Sequence, residues 1–393
     1  MFSNRTNWML TRNRLTEALE QARSSGASVL DLTISNPTRA GLHYDDARIL
    51  QSLASPQAMD YDPQPKGLLS ARAAVADYYR TAHGIYNFDP ERVILTTSTS
   101  EGYSFVFRLL CNPGDELLVP KPSYPLFEFL ADLQDVKLVP YPLLYDHGWQ
   151  MDFPSLHKLV TERTRGVVVV HPNNPTGSYV QSHERDSLND FCREHCLAVI
   201  ADEVFLDYAL DTSPRESFVT NHDALSFTLS GVSKISALPQ MKVAWIATSG
   251  PATEVEAALA RLEVIADTYL SMNAPIQWAT PVLLDQRKSI QRQLLDRVLA
   301  NLAELDRQIA TQKTCERLSV EGGWYAVLRV PVTRTDEELV IDLLRRKSVL
   351  VHPGHFYDYP SDGFLVLSLI ATQADFAEGV KRLLEVMAAD LLP

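Results

Sequence analysis

The sequence predicts an α/β fold with a mostly parallel seven-stranded sheet sandwiched by helices, and three observations predict it. Short β-rich runs recur with helical patterns between them. Several runs, such as Gly-Val-Val-Val-Val at 166–170, are apolar on both faces, as strands covered by helices on each side are. Beyond about residue 285 the pattern changes to a long charged amphipathic helix, SIQRQLLDRVLANLAELDRQIA. The seven runs are Val93 to Thr97, Glu116 to Val119, Lys137 to Val139, Gly166 to Val170, Leu197 to Ala201, Ser226 to Leu229 and Val243 to Ala247. After the long helix come GGWYAVLRV, another helix and the strand-like FLVLSLI, which read as a smaller α+β domain completed by the N-terminal segment. The expected division is a large domain over 45–285 and a small one from 1–44 and 286–393.

Composition narrows the function classes. A chain of 393 residues, 46% hydrophobic, can bury a core without disulfides or a structural metal. Lysine and arginine total 36 against 49 acidic residues, a formal charge of -13, which argues against a surface made for nucleic acid or an anionic membrane. An anionic ligand therefore needs a local pocket. Cys111, Cys192, Cys196 and Cys315 show no metal-binding spacing and read as small apolar residues; Cys192 and Cys196 lie four apart in a helical pattern, with one of them expected to be buried. The N-terminus has no apolar stretch of signal-peptide length, and no uncharged run approaches the roughly 18 residues of a membrane span. A cytoplasmic location is the expectation.

In an open parallel sheet ligands bind at the carboxyl ends of the strands, so the residues following each run carry the chemistry. TSTSEGY opens a helix after the first run, placing Thr99 and Ser100 where free N–H groups and hydroxyls can hold an anion, or where they serve as a plain cap. PKPSYPLFEF follows the second run and presents Tyr124 either to a pocket or to the core. HPNNPTG follows the fourth and contains Asn174 in what turn chemistry alone would explain. ADEVF ends the fifth with Asp202, a carboxylate that wants a cationic partner when buried. SGVSKISALPQMK follows the sixth, and Lys234 at such a strand end has the lowered pKa that makes an amine nucleophilic towards an aldehyde.

Together with LTISNPT, YDPQPKG and VLVHPGHFYD, that ordered set resembles the fold-type I pyridoxal phosphate enzymes of the class I/II aminotransferase family over nearly the whole chain. The resemblance implies that Lys234 forms the internal Schiff base and then moves the substrate proton. It implies that Asp202 pairs with the pyridinium nitrogen of the cofactor, which serves as an electron sink. Asn174 would bond the ring's phenolate oxygen and Tyr124 would stack on its face. Thr99 and Ser100 would hold the phosphate, with Ser230 or Ser233. Tyr61 matches a tyrosine that reaches the phosphate of the neighbouring subunit, which implies a homodimer with shared sites.

The sequence departs from the family's pattern at three places. Lys242 stands where a phosphate-binding arginine is usual, and neutralises as a point charge without two-pronged geometry. Phe205 replaces a tyrosine that would donate to the phenolate oxygen, with Tyr208 as a possible substitute or a core residue. Val366 replaces the arginine that clamps a substrate α-carboxylate, leaving Ser35, Asn36 and Arg39 of the N-terminal segment, or His355 and Lys121, as alternatives. The implied activity is transfer of an amino group between an amino donor, in the first instance an amino acid, and a 2-oxo acid by a ping-pong cycle, though Val366 leaves room for a substrate without an α-carboxylate. α,β-Elimination on the same cofactor and a cofactor-sensing binding module are the alternatives, and neither a membrane nor a nucleic-acid partner is expected.

Overall fold

The computed structural model describes residues 1–125, 127–270 and 272–389. Among them fourteen strands occur: β1 Leu30–Asp31, β2 Val93–Thr96, β3 Glu116–Lys121, β4 Lys137–Tyr145, β5 Trp149–Met151, β6 Thr164–Val170, β7 Ala198–Asp202, β8 Ser226–Gly231, β9 Ala244–Ser249, β10 Glu316–Arg317, β11 Tyr325–Arg329, β12 Val349–Leu350, β13 His352–Pro353 and β14 Phe364–Ser368. The main sheet runs β2-β9-β8-β7-β6-β3-β4-β5. Its centre is parallel, and β9 lies antiparallel between β8 and β2.

All seven expected runs are strands, but the sheet has eight members. The eighth, β5, folds back on β4 with Leu143 opposite Met151. The turn between them is tight: Asp146 N–H donates to the Gly148 carbonyl at 2.9 Å, and His147 has φ of 54°. Strand alternation explains the doubly apolar runs. Val167 and Val169 pack with Leu188 and Phe191 on one face, while Val168 and Val170 pack with Phe105 and Val106 on the other.

The second sheet is antiparallel, in the order β10-β11-β14-β13, and β1 pairs with β12 in parallel beside it. Its core is built on Ile290, Leu294 and Val298, which repeat every fourth residue along the helix Arg287–Ile309 and so share one face, packed with Trp324, Leu343 and Phe376. The preceding helix, Ala274–Asp285, instead buries Ile276, Ala279 and Leu283 with Tyr78 and Trp245 of the main-sheet core. All four cysteines are free, Cys192 buried and Cys196 exposed. No helix among the described residues is long and apolar enough to cross a membrane.

Candidate active site

Local structure sets each polar group at the carboxyl end of the main sheet. The helix Thr99–Leu110 follows β2 closely, and its cap is closed from both sides. Ser98 Oγ accepts from Glu101 N–H at 3.2 Å and the Glu101 carboxylate accepts from Thr97 N–H at 2.6 Å. The N–H groups of Thr99 and Ser100 are left without an intrahelical acceptor at the cleft wall. After β8 the chain turns into the short helix Val232–Ile235. Gly231 is required there, since a Cβ would meet the Val243 carbonyl at 2.7 Å. The turn is fastened by Tyr208 Oη, which donates to the Lys234 carbonyl at 2.6 Å, and by Gln291 Nε2, which donates to the Ile235 carbonyl at 2.9 Å.

Lys234 and Asp202 share a cleft of about 390 Å³ with Thr99, Ser100, Tyr124 and Asn174. Small-molecule sites commonly span about 300–1,000 Å³. The Lys234 amine makes no ion pair among the described residues and lies 4.9 Å from the Trp324 ring centroid and 5.3 Å from that of Phe205. Loss of hydration in that aromatic setting pulls its pKa down to about 8, against the opposing pull of Asp202. Burial pushes the Asp202 carboxyl up to about 6, although the Val204 N–H at 3.1 Å, the Tyr103 hydroxyl at 3.0 Å and Lys234 favour its charged form. Both groups therefore titrate near neutrality, where proton transfer is most effective.

The other residues singled out in the sequence divide into those that line this cleft and those that do not. Ser233 and Ser35 line it. Ser230 is buried in β8, its hydroxyl 3.3 Å from the Glu203 carbonyl, so of the two serines only Ser233 borders the cleft. Asn36 caps a short turn by accepting from Thr38 N–H, and Arg39 is exposed; neither borders the cleft. Lys242, exposed with φ of 54°, has no ion pair and lies outside the lining. Tyr61 is 81% exposed and belongs to a separate cavity of about 380 Å³ with Leu68, Met272 and Trp278. Lys121 and His355 face a third cavity of about 640 Å³, where Lys121 pairs with Asp358 at 3.4 Å. Tyr208 is a core residue whose hydroxyl is spent on the Lys234 carbonyl.

Sequence reasoning missed Tyr103, which holds Asp202 from inside a helix, and Tyr325, His352 and Tyr357 of the wall they form with Phe356. His352 Nδ1 lies 3.0 Å from the Tyr357 hydroxyl, and burial pulls its pKa down to about 4 despite Asp31. Trp324, fully buried, packs edge-on against Phe205 at 5.1 Å and Tyr208 at 5.0 Å and so backs the lysine.

The chain matches the family model for class I and II aminotransferases over residues 27–383. It is 32% identical over 374 residues to an alanine aminotransferase of Mycobacterium tuberculosis, covering 92% of this chain and 86% of the relative. It is 27% identical over 367 residues to the glutamate-pyruvate aminotransferase of Escherichia coli, covering 91% and 90%. The crystal structure of an E. coli aminotransferase superposes with a TM-score of 0.87 at 25% identity, covering 99% of this chain and 98% of that one. The alanine aminotransferase of Pyrococcus furiosus shares the fold with a TM-score of 0.88 at 21% identity, covering 99% and 100%. The chain belongs to the class I and II aminotransferases and is a pyridoxal phosphate-dependent enzyme of fold type I. The residues present fit that cofactor: an amine without an ion pair among the described residues, a carboxyl group, free helix N–H groups and the side-chain amide of Asn174 border one cavity.

Proposed function

We propose that this aminotransferase passes an amino group from an amino donor to a 2-oxo acid in two half-reactions at one site, with Lys234 as its central group. The observation that carries the reading is the unpaired Lys234 amine, with a pKa brought down to about 8, in the same cavity as Asp202. Pyridoxal phosphate supplies an aldehyde that condenses with amines and a ring that accepts electrons from the substrate carbon. Lys234 would hold the cofactor through its amine and, once released, would take and return the substrate proton. Asp202, steadied by Tyr103 and the Val204 N–H, would pair with the ring nitrogen and keep it protonated. Asn174 would bond the ring oxygen and Tyr124 would stack on the ring. Thr99, Ser100 and Ser233 would hold the phosphate; Lys242, the cation the sequence offered for it, lies outside this lining.

Tyr61 reaches the phosphate of a second copy, and the enzyme works as a homodimer; support comes from its exposure at a cavity outside its own subunit's cleft. The large domain spans 45–285 and the small one 1–44 and 286–393, a division supported by the different cores that the helices before and after residue 286 enter. A cytoplasmic setting accords with four unpaired cysteines.

The test is absorption spectroscopy of the cofactor-loaded protein, mixed in a single turnover with amino donors. Conversion of the cofactor from its aldehyde to its amine form, reversed by a 2-oxo acid, is expected. Release of ammonia with the aldehyde form retained would assign the site to elimination instead.

A further inference from the structure

We propose that the amine selected by this cleft bears no carboxylate on the carbon that carries nitrogen, and that its body is aromatic or otherwise apolar; this rests on the amino-transfer reading above. The cleft lining contains no arginine among the described residues, and Lys234 is its one lysine. Arg39 and Lys242 lie outside it, and Lys121 is paired with Asp358 in another cavity.

Sheet register identifies what stands where a carboxylate clamp would project. Val366 on β14 pairs directly with His352 on β13 and with Val327 on β11. Paired residues share a sheet face, and Tyr325, two positions before Val327, shares it too. Tyr325 and His352 line the cleft, so position 366 underlies the same floor, and it holds a valine only 1% exposed. Above it stand the rings of Tyr325, Phe356 and Tyr357 and the imidazole of His352, whose Nδ1 is engaged with Tyr357 and whose Nε2 has no partner among the described residues. That floor offers flat apolar surface and only neutral hydrogen-bonding groups, the imidazole and the two phenols. A carboxylate placed there would lose its hydration with no cation to replace it, and Asp202 shares the cavity.

The balanced exchange is a primary amine plus a 2-oxo acid giving an aldehyde plus an amino acid. The amine carbon gives up its nitrogen and one hydrogen and takes oxygen from water in the first half-reaction; the acceptor's ketone oxygen leaves as water in the second, so no external oxidant is needed. The 2-oxo acid, small and unclamped, is expected to saturate the enzyme poorly.

The experiment compares matched probes on the cofactor-loaded, full-length protein. Phenethylamine and L-phenylalanine are offered with pyruvate, and kcat/KM is read from product formation. Independently of turnover, calorimetry measures binding of 3-phenylpropanoate and 3-phenylpropan-1-ol. We expect kcat/KM at least about tenfold higher for the amine, and binding at least about tenfold tighter for the alcohol. His352→Arg places a cation on the cleft wall and should reverse the binding order; Val366→Arg tests the floor itself, with its unfolding temperature checked first. Wild-type protein that prefers phenylalanine and binds the carboxylate as well as the alcohol would overturn the proposal while leaving amino transfer intact. Failure to convert either amine, with the alcohol still preferred in binding, would sink the amino-transfer reading and keep the selectivity of the cleft.

Discussion

Along the wall of the cleft supplied by the main sheet stand Asp202 and Lys234, both ionisable and both pushed towards their neutral forms. The opposite wall, supplied by the antiparallel sheet, presents Tyr325, His352, Phe356 and Tyr357, with the imidazole held neutral and the phenols raised in pKa by burial. The first wall is made of groups that can exchange a proton near pH 7, and the second of groups that cannot. Contacts cross between them: Trp324 of the second sheet's core lies against the lysine, and Ser123 N–H donates to the Tyr357 carbonyl at 3.0 Å. On the proposed reading, reaction type and substrate choice rest on separate sheets of one molecule, so each is open to change with the other left standing.

The largest expected effect is on the polar wall. Lys234→Ala should lower amino transfer by about 10⁴-fold, read as product formation with cofactor in excess, since both covalent attachment and proton transfer are removed. Asp202→Asn keeps the shape and removes the charge; it should cost about 10²-fold in kcat with little change in substrate KM, which would confirm that this wall governs chemistry alone. Equal loss in KM would break the separation.

A third prediction uses stability. The Lys234 pKa in the folded protein, about 8, lies below its ordinary value, so between about pH 8 and 10.5 the unfolded chain holds a proton that the folded one lacks. Wild-type stability should therefore rise with pH across that window, and the buried charge is unfavourable in full below pH 8. Lys234→Met in the cofactor-free protein should unfold later at pH 7 by about 1–2 kcal/mol and show no advantage at pH 10.5, measured by denaturant melts at several pH values. The smallest effect belongs to Tyr103→Phe, which removes one hydrogen bond to Asp202. A loss of about 1 kcal/mol, close to fivefold in kcat, is expected, together with a shift of the acidic limb of the pH profile to higher pH as the carboxylate loses a donor.

The two walls also differ in how legible they were. Asp202 ends an apolar strand and Thr99, Tyr124, Asn174 and Lys234 lie within four residues of strand ends, so order along the chain carries their positions. The aromatic wall has no such order. Tyr325 and His352 are 27 positions apart by their numbers and meet only because β14 pairs with both their strands. Ser230 illustrates a finer limit: it lies four residues before Lys234, yet strand alternation turns its hydroxyl to the Glu203 carbonyl and away from the cleft. Tyr103 reads as one more apolar residue of a helix, since its hydroxyl's partner comes from a strand about a hundred residues later. The β4–β5 hairpin escaped because β5 is three residues long, too short for alternation to register, and its Asp-His-Gly turn was the available signal.

The contact between Trp324 and the lysine has an optical consequence. The indole is fully buried and its ring centroid lies 4.9 Å from the Lys234 amine, within reach of any chromophore attached there. Emission from this one of the chain's five tryptophans is expected to fall as the site fills and to return as it empties. The protein thus contains its own fluorescent gauge of cofactor occupancy, placed on the seam between its two sheets.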